Sequence, residues 1–285
     1  MVRTLWGLAL DKHIRKIFSV FALVMLAMFI YAVIGGFWSN LNWLMLTGAA
    51  VCCVLVFRVF VYIFNFSYAL VCILNGALLA VWFANGPAIL LGGAMALYGL
   101  RLLLFTWFRT RSASYAVRVK NIQQADAQMP TPIKFALWVQ CSLLYCFHQF
   151  ATYIAAQAGW ISPAVIAGTV LILAGTWIEG LADFQKQQAK ATAPDQFVSH
   201  GLFSRWRHPN YSGEMLVQLG LIVAGVGSLT VGWINYVAVT VAPLYIILLM
   251  LSECTRGDRH MELRYGASEA FRDYARRSGS VLPRF

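Results

Sequence analysis

The chain has 285 residues, of which 60% are hydrophobic, 14% aromatic and only 12% charged. A soluble domain of this length carries about twice that charged fraction, and so few polar residues could not cover its surface. The composition therefore excludes an ordinary soluble enzyme and predicts an all-α, polytopic integral membrane helix bundle.

The net charge of +11 comes from 22 Lys and Arg against 11 Asp and Glu. The basic residues cluster in short loops between apolar runs, which is the positive-inside pattern of a membrane protein. A nucleic-acid-binding protein would concentrate them on one face, so no nucleic acid is expected as a partner. The six cysteines form no CxxC pair, so no disulfide framework or metal site is predicted.

Apolar runs long enough for a bilayer core of about 30 Å occur about eight times along the chain. In chain order they cover approximately 17–36, 41–64, 68–84, 87–108, 133–158, 162–181, 213–228 and 232–251. The whole chain, 1–285, is thus predicted to be a single transmembrane domain. Charged residues from 253 to 262, followed by aromatic residues, predict a separate amphipathic helix in the tail.

The loops between these runs give an orientation. The loops from Arg109 to Lys134 and from Asp183 to Asn210 are basic, as are the tail and the N-terminal segment, whereas the alternate turns are uncharged. The basic residues of the N-terminal segment are Arg3, Lys12, Arg15 and Lys16. With eight spans all basic loops fall on one side, which predicts cytoplasmic N and C termini.

Polar residues at the ends of apolar helices are costly, and the densest set lies around the sixth and seventh runs. Glu179, Asp183 and Lys186 are four and three residues apart and share one helix face. Pro209 suits the first position of the next helix, and Tyr211 follows it.

Asn210 and Glu214 share one face of that helix. Its free backbone N–H groups lie beside Arg205, Arg207 and His208, which suits a phosphate or carboxylate. The alternative is that these basic residues only bind anionic lipid headgroups.

Two further sets combine charge with aromatic residues. Tyr98 and Arg101 share a helix face, so the tyrosine could donate a proton to a carbonyl; an interfacial tyrosine beside a snorkelling arginine is the alternative. A third set lies just beyond the last run and fits either a ligand site or a solvated tail: Arg256, Asp258, Arg259, His260, Glu262, Arg264 and Tyr265. His148 is predicted to hydrogen-bond between helices, and Arg58 to snorkel to the surface.

The string Gly-Leu-Phe at 201–203, followed by Arg-His-Pro-Asn-Tyr-x-Gly-Glu at 207–214, closely resembles the signature of the bacterial DUF1295 family. That family is grouped with steroid 5α-reductases and, more distantly, with sterol C14 reductases and isoprenylcysteine carboxyl methyltransferases. The segments 177–186 and 264–283 are also similar to the family pattern. The resemblance covers roughly the last 110 residues, with Tyr98 and Arg101 as a weaker upstream match.

The resemblance implies an oxidoreductase acting on a CH–CH group: an NADPH-dependent reductase of a C=C bond in a hydrophobic substrate that comes from the bilayer. Residues 133–285 would form the cofactor-binding half, and 1–132 the substrate side. Tyr98, with Arg101 beside it, would hydrogen-bond the substrate carbonyl as proton donor. The proposed cofactor ligands towards the nicotinamide and ribose are Glu179, Asp183, Asn210 and Glu214. Those towards the phosphates or the adenine are Arg205, Arg207, His208, Arg256 and Arg259, and the further proposed cofactor ligands are Lys186, Tyr211 and His260.

One departure from the steroid reductases concerns Tyr98. Those enzymes pair this tyrosine with a glutamate of an earlier helix, whereas the third run here offers only Asn75 as a strong polar candidate. Two other classes of function stay open: a membrane methyltransferase that uses S-adenosylmethionine, and a lipid-binding or scaffolding protein without catalysis. In each case membrane lipids surround the bundle.

Overall fold

The computed structural model describes residues 12–229 and 232–284, so Arg3 lies outside the described residues. The helices are α1 (Lys12–Ile34), α2 (Asn40–Cys53), α3 (Tyr68–Phe83), α4 (Gly86–Arg111), α5 (Ala116–Ala127), α6 (Thr131–His148), α7 (Phe150–Ala158), α8 (Pro163–Thr192), α9 (Pro209–Val226), α10 (Trp233–Tyr265) and α11 (Glu269–Arg277). Short 3-10 turns cover Val54–Phe57, Ala113–Tyr115 and Gly201–Ser204, and a π-helical turn covers Ile63–Ser67.

Six helical segments in the described part of the chain are long and apolar enough to cross a membrane. They are Lys16–Ile34, Asn40–Phe57, Ile63–Phe83, Gly86–Arg111, Pro163–Thr192 and Trp233–Tyr265. The prediction of a polytopic all-α membrane protein is therefore confirmed. The two other predicted runs correspond to the pair α6–α7 and to α9, so the count of eight spans and the orientation stay predictions.

Two of the predicted runs are interrupted. The run 41–64 ends as a helix at the 3-10 turn Val54–Phe57, and Arg58 is exposed just beyond it. The run 133–158 is divided at Gln149, whose backbone (φ −90°, ψ 0°) separates α6 from α7. Apolar content predicted continuous helices here because hydropathy does not register a local change in backbone geometry.

The tail differs from the prediction. The charged segment 253–262 is not a separate amphipathic helix, because α10 runs without interruption from Trp233 to Tyr265. The amphipathic element is instead α11, which buries Phe271 and Tyr274. Both rings pack with Phe197, from the segment that follows α8.

Glycines allow two helix pairs to approach closely. A Cβ atom on Gly175 of α8 would lie 2.4 Å from the carbonyl oxygen of Gly213 on α9, and a Cβ on Gly213 would lie 2.7 Å from the backbone nitrogen of Glu179. Gly76 of α3 and Gly92 of α4 meet in the same way. Small residues thus bring backbones together as in other membrane helix bundles. The α8–α9 contact places Glu179 beside the first turns of α9.

The loops that connect the helices lie at two opposite ends of the bundle. At one end, Gln187 donates to Ser112 at 2.8 Å, and the exposed Arg264 and Asp195 form an ion pair at 2.7 Å. At the other end, the Asn85 side chain donates to the backbone of Ala156 at 2.7 Å, so two uncharged turns meet. We call the first the charged end. The three basic connections of the sequence therefore lie together, as their charge predicted.

Candidate functional site

The site is centred on Arg101, on the face of α4 that packs against α8. Its Nη2 lies 2.6 Å from Glu179 Oε2, and its Nη1 donates to Asp183 Oδ2 at 3.0 Å. The side chains of both acidic residues are only 7% exposed, and that of Arg101 is 18% exposed. Two carboxylates thus share one guanidinium in a largely desolvated position. The structure unites two of the sequence-predicted sets that the sequence could not connect.

Tyr98 lies one turn before Arg101 and is fully buried. The Arg101 guanidinium carbon lies 5.3 Å from the centroid of the Tyr98 ring. The Glu214 carboxyl of α9 and the hydroxyl of Tyr68 of α3 lie close to the Tyr98 hydroxyl. Neither meets hydrogen-bond geometry with it, so the hydroxyl has no such partner among the described residues. An acidic residue therefore adjoins Tyr98, although it comes from α9 and not from an earlier helix.

Several other polar atoms of this region are buried without a hydrogen-bond partner in the described chain. They include Nε of Arg101, Nε of Arg109 and Oδ1 of Asn210. Asn210 precedes Glu214 by one turn of α9, and Arg109 extends the cationic face of α4 towards Asp183. Buried polar groups are satisfied in most proteins, so such a concentration indicates capacity for a ligand.

A hydrogen-bonded network adjoins Tyr98 on the apolar side. Gln218 Nε2 donates to the hydroxyl of Tyr68 at 3.0 Å, and Gln218 Oε1 lies 2.9 Å from His148 Nε2. His148 Nε2 is also 3.3 Å from the Tyr68 hydroxyl. All three side chains are buried and come from α9, α3 and α6. The prediction that His148 hydrogen-bonds between helices is confirmed.

Arg207 and His208 form a second polar cluster, which we call the Asp258 latch. Arg207 donates through Nε and Nη2 to the two carboxylate oxygens of Asp258, at 2.9 and 3.1 Å. His208 Nε2 lies 2.8 Å from Asp258 Oδ1, and Ser280 donates to Oδ2 at 2.7 Å. The remaining Arg207 nitrogen donates to the backbone of the tail. These two predicted cofactor ligands are thus engaged within the protein.

Backbone pairing attaches the tail beside the latch. The backbone nitrogen of Arg207 donates to Gly279 at 2.8 Å, and that of Gly279 donates to Arg205 at 3.0 Å. Burial lowers the pKa of His208 below the usual imidazole value, and the hydrogen bond to the carboxylate of Asp258 opposes this shift. Burial likewise raises the pKa of the nearby Tyr274 to about 12. Burial therefore favours the neutral form of both side chains.

The other predicted cofactor ligands differ in their contacts and in their exposure to solvent. Arg256 forms an ion pair with Glu253, and the Tyr211 ring stacks on His208 at 5.6 Å between centroids. Lys186, Arg259 and His260 are exposed. Arg205 is exposed as well, and it lines an open cavity of about 520 Å³. The other residues that line this cavity are Ser204, Arg277 and Arg284.

Sequence reasoning did not assign three residues that the structure places in these clusters: Tyr68, Gln218 and Arg109. Gln218 is polar within an apolar run, which was a usable signal. Asp258 belonged to the candidate set in the tail, but the sequence did not show that its partner is Arg207. Arg109 was used only for orientation, and a tyrosine such as Tyr68 at the start of a span is common at membrane interfaces.

The profile of the family described as "Protein of unknown function (DUF1295)" matches residues 68–278. This chain belongs to the DUF1295 family. The match includes α3 to α11, and therefore both the Arg101 cluster and the Asp258 latch. No curated protein and no solved structure matches the chain significantly.

Proposed function

We propose that this DUF1295 protein is a membrane-embedded, NADPH-dependent reductase of a C=C bond in a lipidic substrate of the enone, steroid or sterol type. The observation that carries the proposal is the Tyr98 hydroxyl, which is fully buried beside Glu214 and the Arg101 ion pairs and has no hydrogen-bond partner among the described residues. A buried donor without an acceptor costs folding free energy unless a ligand satisfies it.

The reaction follows from the chemistry of a conjugated carbonyl. The C=C bond takes up a hydride at the β-carbon and a proton at the α-carbon, while NADPH is oxidised to NADP⁺. Tyr98 would donate its hydroxyl hydrogen bond to the carbonyl oxygen, where negative charge develops in the transition state. Arg101, held by Glu179 and Asp183, would supply positive charge near that oxygen.

The residues around Arg101 fit the polar end of a nicotinamide nucleotide. The carboxamide of nicotinamide carries N–H donors, and Asn210 Oδ1 is a buried acceptor atom without a hydrogen bond in the described structure. Glu214 and Asp183 complete an acidic and amide surface for carboxamide and ribose donors. The methyl donor S-adenosylmethionine is the alternative ligand of such a surface.

The phosphates would bind at the exposed arginines of the charged end. Arg205, Arg277 and Arg284 line one open cavity, and guanidinium groups suit phosphate oxygens. Arg207 and His208 would act indirectly, by attaching the tail that carries two of these arginines. With the charged end facing the cytoplasm, the polar cofactor would come from the cytosol and the apolar substrate sideways from the bilayer.

A thermal-shift experiment on the detergent-solubilised full chain tests the proposal. A ligand that binds only the folded state raises its stability, by about 2.7 kcal/mol at 100 times the dissociation constant. NADPH should raise the unfolding temperature, less so at high salt, and S-adenosylmethionine should not.

The variant Arg205→Gln should weaken the NADPH response, whereas Arg118→Gln, an exposed arginine of the α5 region, should not. Stabilisation by S-adenosylmethionine with no response to NADPH would replace the reductase by a methyltransferase.

A further inference from the structure

The proton positions around His148 can be derived from its partners. Gln218 Nε2 donates to Tyr68, so the Oε1 of the same amide faces His148 Nε2 at 2.9 Å. An amide oxygen only accepts, so Nε2 of His148 carries the hydrogen. Nδ1 of the neutral ring is then an acceptor, and Gln149 Nε2 donates to it at 3.4 Å.

This assignment determines what Tyr68 can do. Its hydroxyl oxygen accepts a hydrogen bond from Gln218. His148 Nε2–H, at 3.3 Å, can donate a second hydrogen bond to the same oxygen, but it cannot accept the Tyr68 hydroxyl hydrogen. The Tyr68 hydroxyl hydrogen therefore has no acceptor in hydrogen-bond geometry among the described residues. The same holds for the Tyr98 hydroxyl. The two rings are in edge contact, with centroids 5.9 Å apart.

We propose that Tyr68 and Tyr98 together donate hydrogen bonds to one neutral carbonyl oxygen of the ligand, with Gln218 and His148 as positioning residues. This inference rests on the proposed reductase function and identifies the recognised part of its substrate. A carbonyl oxygen has two lone pairs and no hydrogen, which matches two converging donors. An alcohol or amine would bring a hydrogen of its own, and a carboxylate would bring a charge.

The network also strengthens the second donor. Hydrogen bonds that run in one direction, from Gln149 through His148 and Gln218 to Tyr68, polarise one another. A hydroxyl that accepts a hydrogen bond becomes a better donor. Because Tyr68, His148 and Gln218 come from three different helices that pack together, the Tyr68 hydroxyl is oriented before any ligand arrives.

Infrared difference spectroscopy of a bound ketone tests this inference without NADPH. The probe is β-ionone, a lipophilic enone, with an isotope label at its carbonyl carbon, bound to the detergent-solubilised full chain. We expect its C=O band at lower frequency than in detergent alone, because hydrogen bonds weaken the double bond. Tyr68→Phe and Tyr98→Phe should each move the band part of the way back, and Gln218→Met should act like Tyr68→Phe.

Two variants serve as controls. Tyr145→Phe removes another buried tyrosine hydroxyl, which donates to the backbone of Ile63 at 2.9 Å, and Ser142→Ala removes a hydroxyl that bonds within α6. Neither should move the band. Absence of β-ionone binding to the folded wild-type chain, or a band unchanged by both Tyr68→Phe and Gln218→Met, would overturn the two-donor site.

Enzyme kinetics test the reductase proposal independently of the infrared measurement. With NADPH and β-ionone, Tyr68→Phe should reduce kcat about three- to tenfold and change KM less, since the second hydrogen bond strengthens as charge develops. If the infrared band responds as expected but NADPH neither binds nor is oxidised, the carbonyl site stands and the reductase function fails. If NADPH is oxidised and Tyr68→Phe leaves the frequency of the C=O band unchanged, only the two-donor inference fails.

Discussion

The Arg101 cluster and the Asp258 latch are built from the same residue types but differ in how completely their polar atoms are paired. In the latch every nitrogen of the Arg207 guanidinium has an acceptor, and both oxygens of Asp258 have donors. In the cluster, Arg101 Nε and the Tyr98 hydroxyl are buried without hydrogen bonds in the described chain.

This difference in hydrogen bonding distinguishes charged residues that hold the fold together from charged residues that can bind a ligand. A satisfied buried ion pair holds two segments together and has nothing left for a ligand. A cluster with unpaired donors and acceptors loses stability and can regain it when a ligand binds.

The largest effect is expected for Tyr98→Phe. A general acid or hydrogen-bond donor of this kind contributes about 10²- to 10⁴-fold to turnover, so NADPH oxidation with β-ionone should fall by that factor. Stability should stay the same or rise, because the buried hydroxyl has no hydrogen bond to lose in the described structure. Kinetics and thermal unfolding of the variant measure both.

Tyr145→Phe is the matched control, with the opposite pattern: lower stability and intact turnover, since its hydroxyl bonds the backbone of Ile63. Equal turnover in wild type and Tyr98→Phe would remove Tyr98 from the site.

Arg101→Met should destabilise the fold by about 3–5 kcal/mol, because it leaves two buried carboxylates without their cation. Denaturant unfolding in detergent gives the change in free energy. Adding Glu179→Gln and Asp183→Asn to the same chain should restore most of the lost free energy of unfolding. If Arg101→Met alone were as stable as wild type, the two carboxylates would not be charged in the folded state.

Asp258→Asn should cost about 1–3 kcal/mol by leaving Arg207 with an incomplete set of acceptors. The tail would detach, so trypsin should cleave faster at Arg276 and Arg277. S-adenosylmethionine should not raise the unfolding temperature of this variant, as it should not raise that of the wild type.

Asp273→Asn is the control, because the exposed pair of Asp273 with Arg276 contributes little. An unchanged cleavage rate in Asp258→Asn would show that the latch does not hold the tail.

The smallest effect is a pH dependence of the latch. Burial lowers the pKa of His208 from its ordinary value of 6.5, so the unfolded chain binds a proton more readily than the folded one. Stability from the neutral ring is complete above that ordinary pKa and is lost as the pH falls through it towards the folded-state pKa. The unfolding temperature should drop by a few degrees between about pH 8 and pH 5.

His208→Asn should flatten this dependence, and His260→Asn, which changes an exposed histidine of α10, should leave it in place. A dependence that persists in His208→Asn would assign it to another group.

Much of this molecule could be predicted from the sequence of single segments. Apolar runs without charge must face lipid, so composition and run length determined that this is a multispan helical membrane protein. Charge in alternate loops predicted which connections lie together. Spacing placed Glu179 with Asp183 on one face, and the fixed φ of Pro209 placed the start of α9.

Only the tertiary structure decided which polar groups are paired. Tyr68 and Gln218 are 150 positions apart in the chain, and Arg207 and Asp258 are 51 positions apart. Helical periodicity describes one segment at a time, so it cannot show which faces of distant segments meet. The sequence identified Arg101 and Arg207 alike as candidate site residues. Within the described structure, packing gives Arg207 a full set of acceptors and leaves Nε of Arg101 without one.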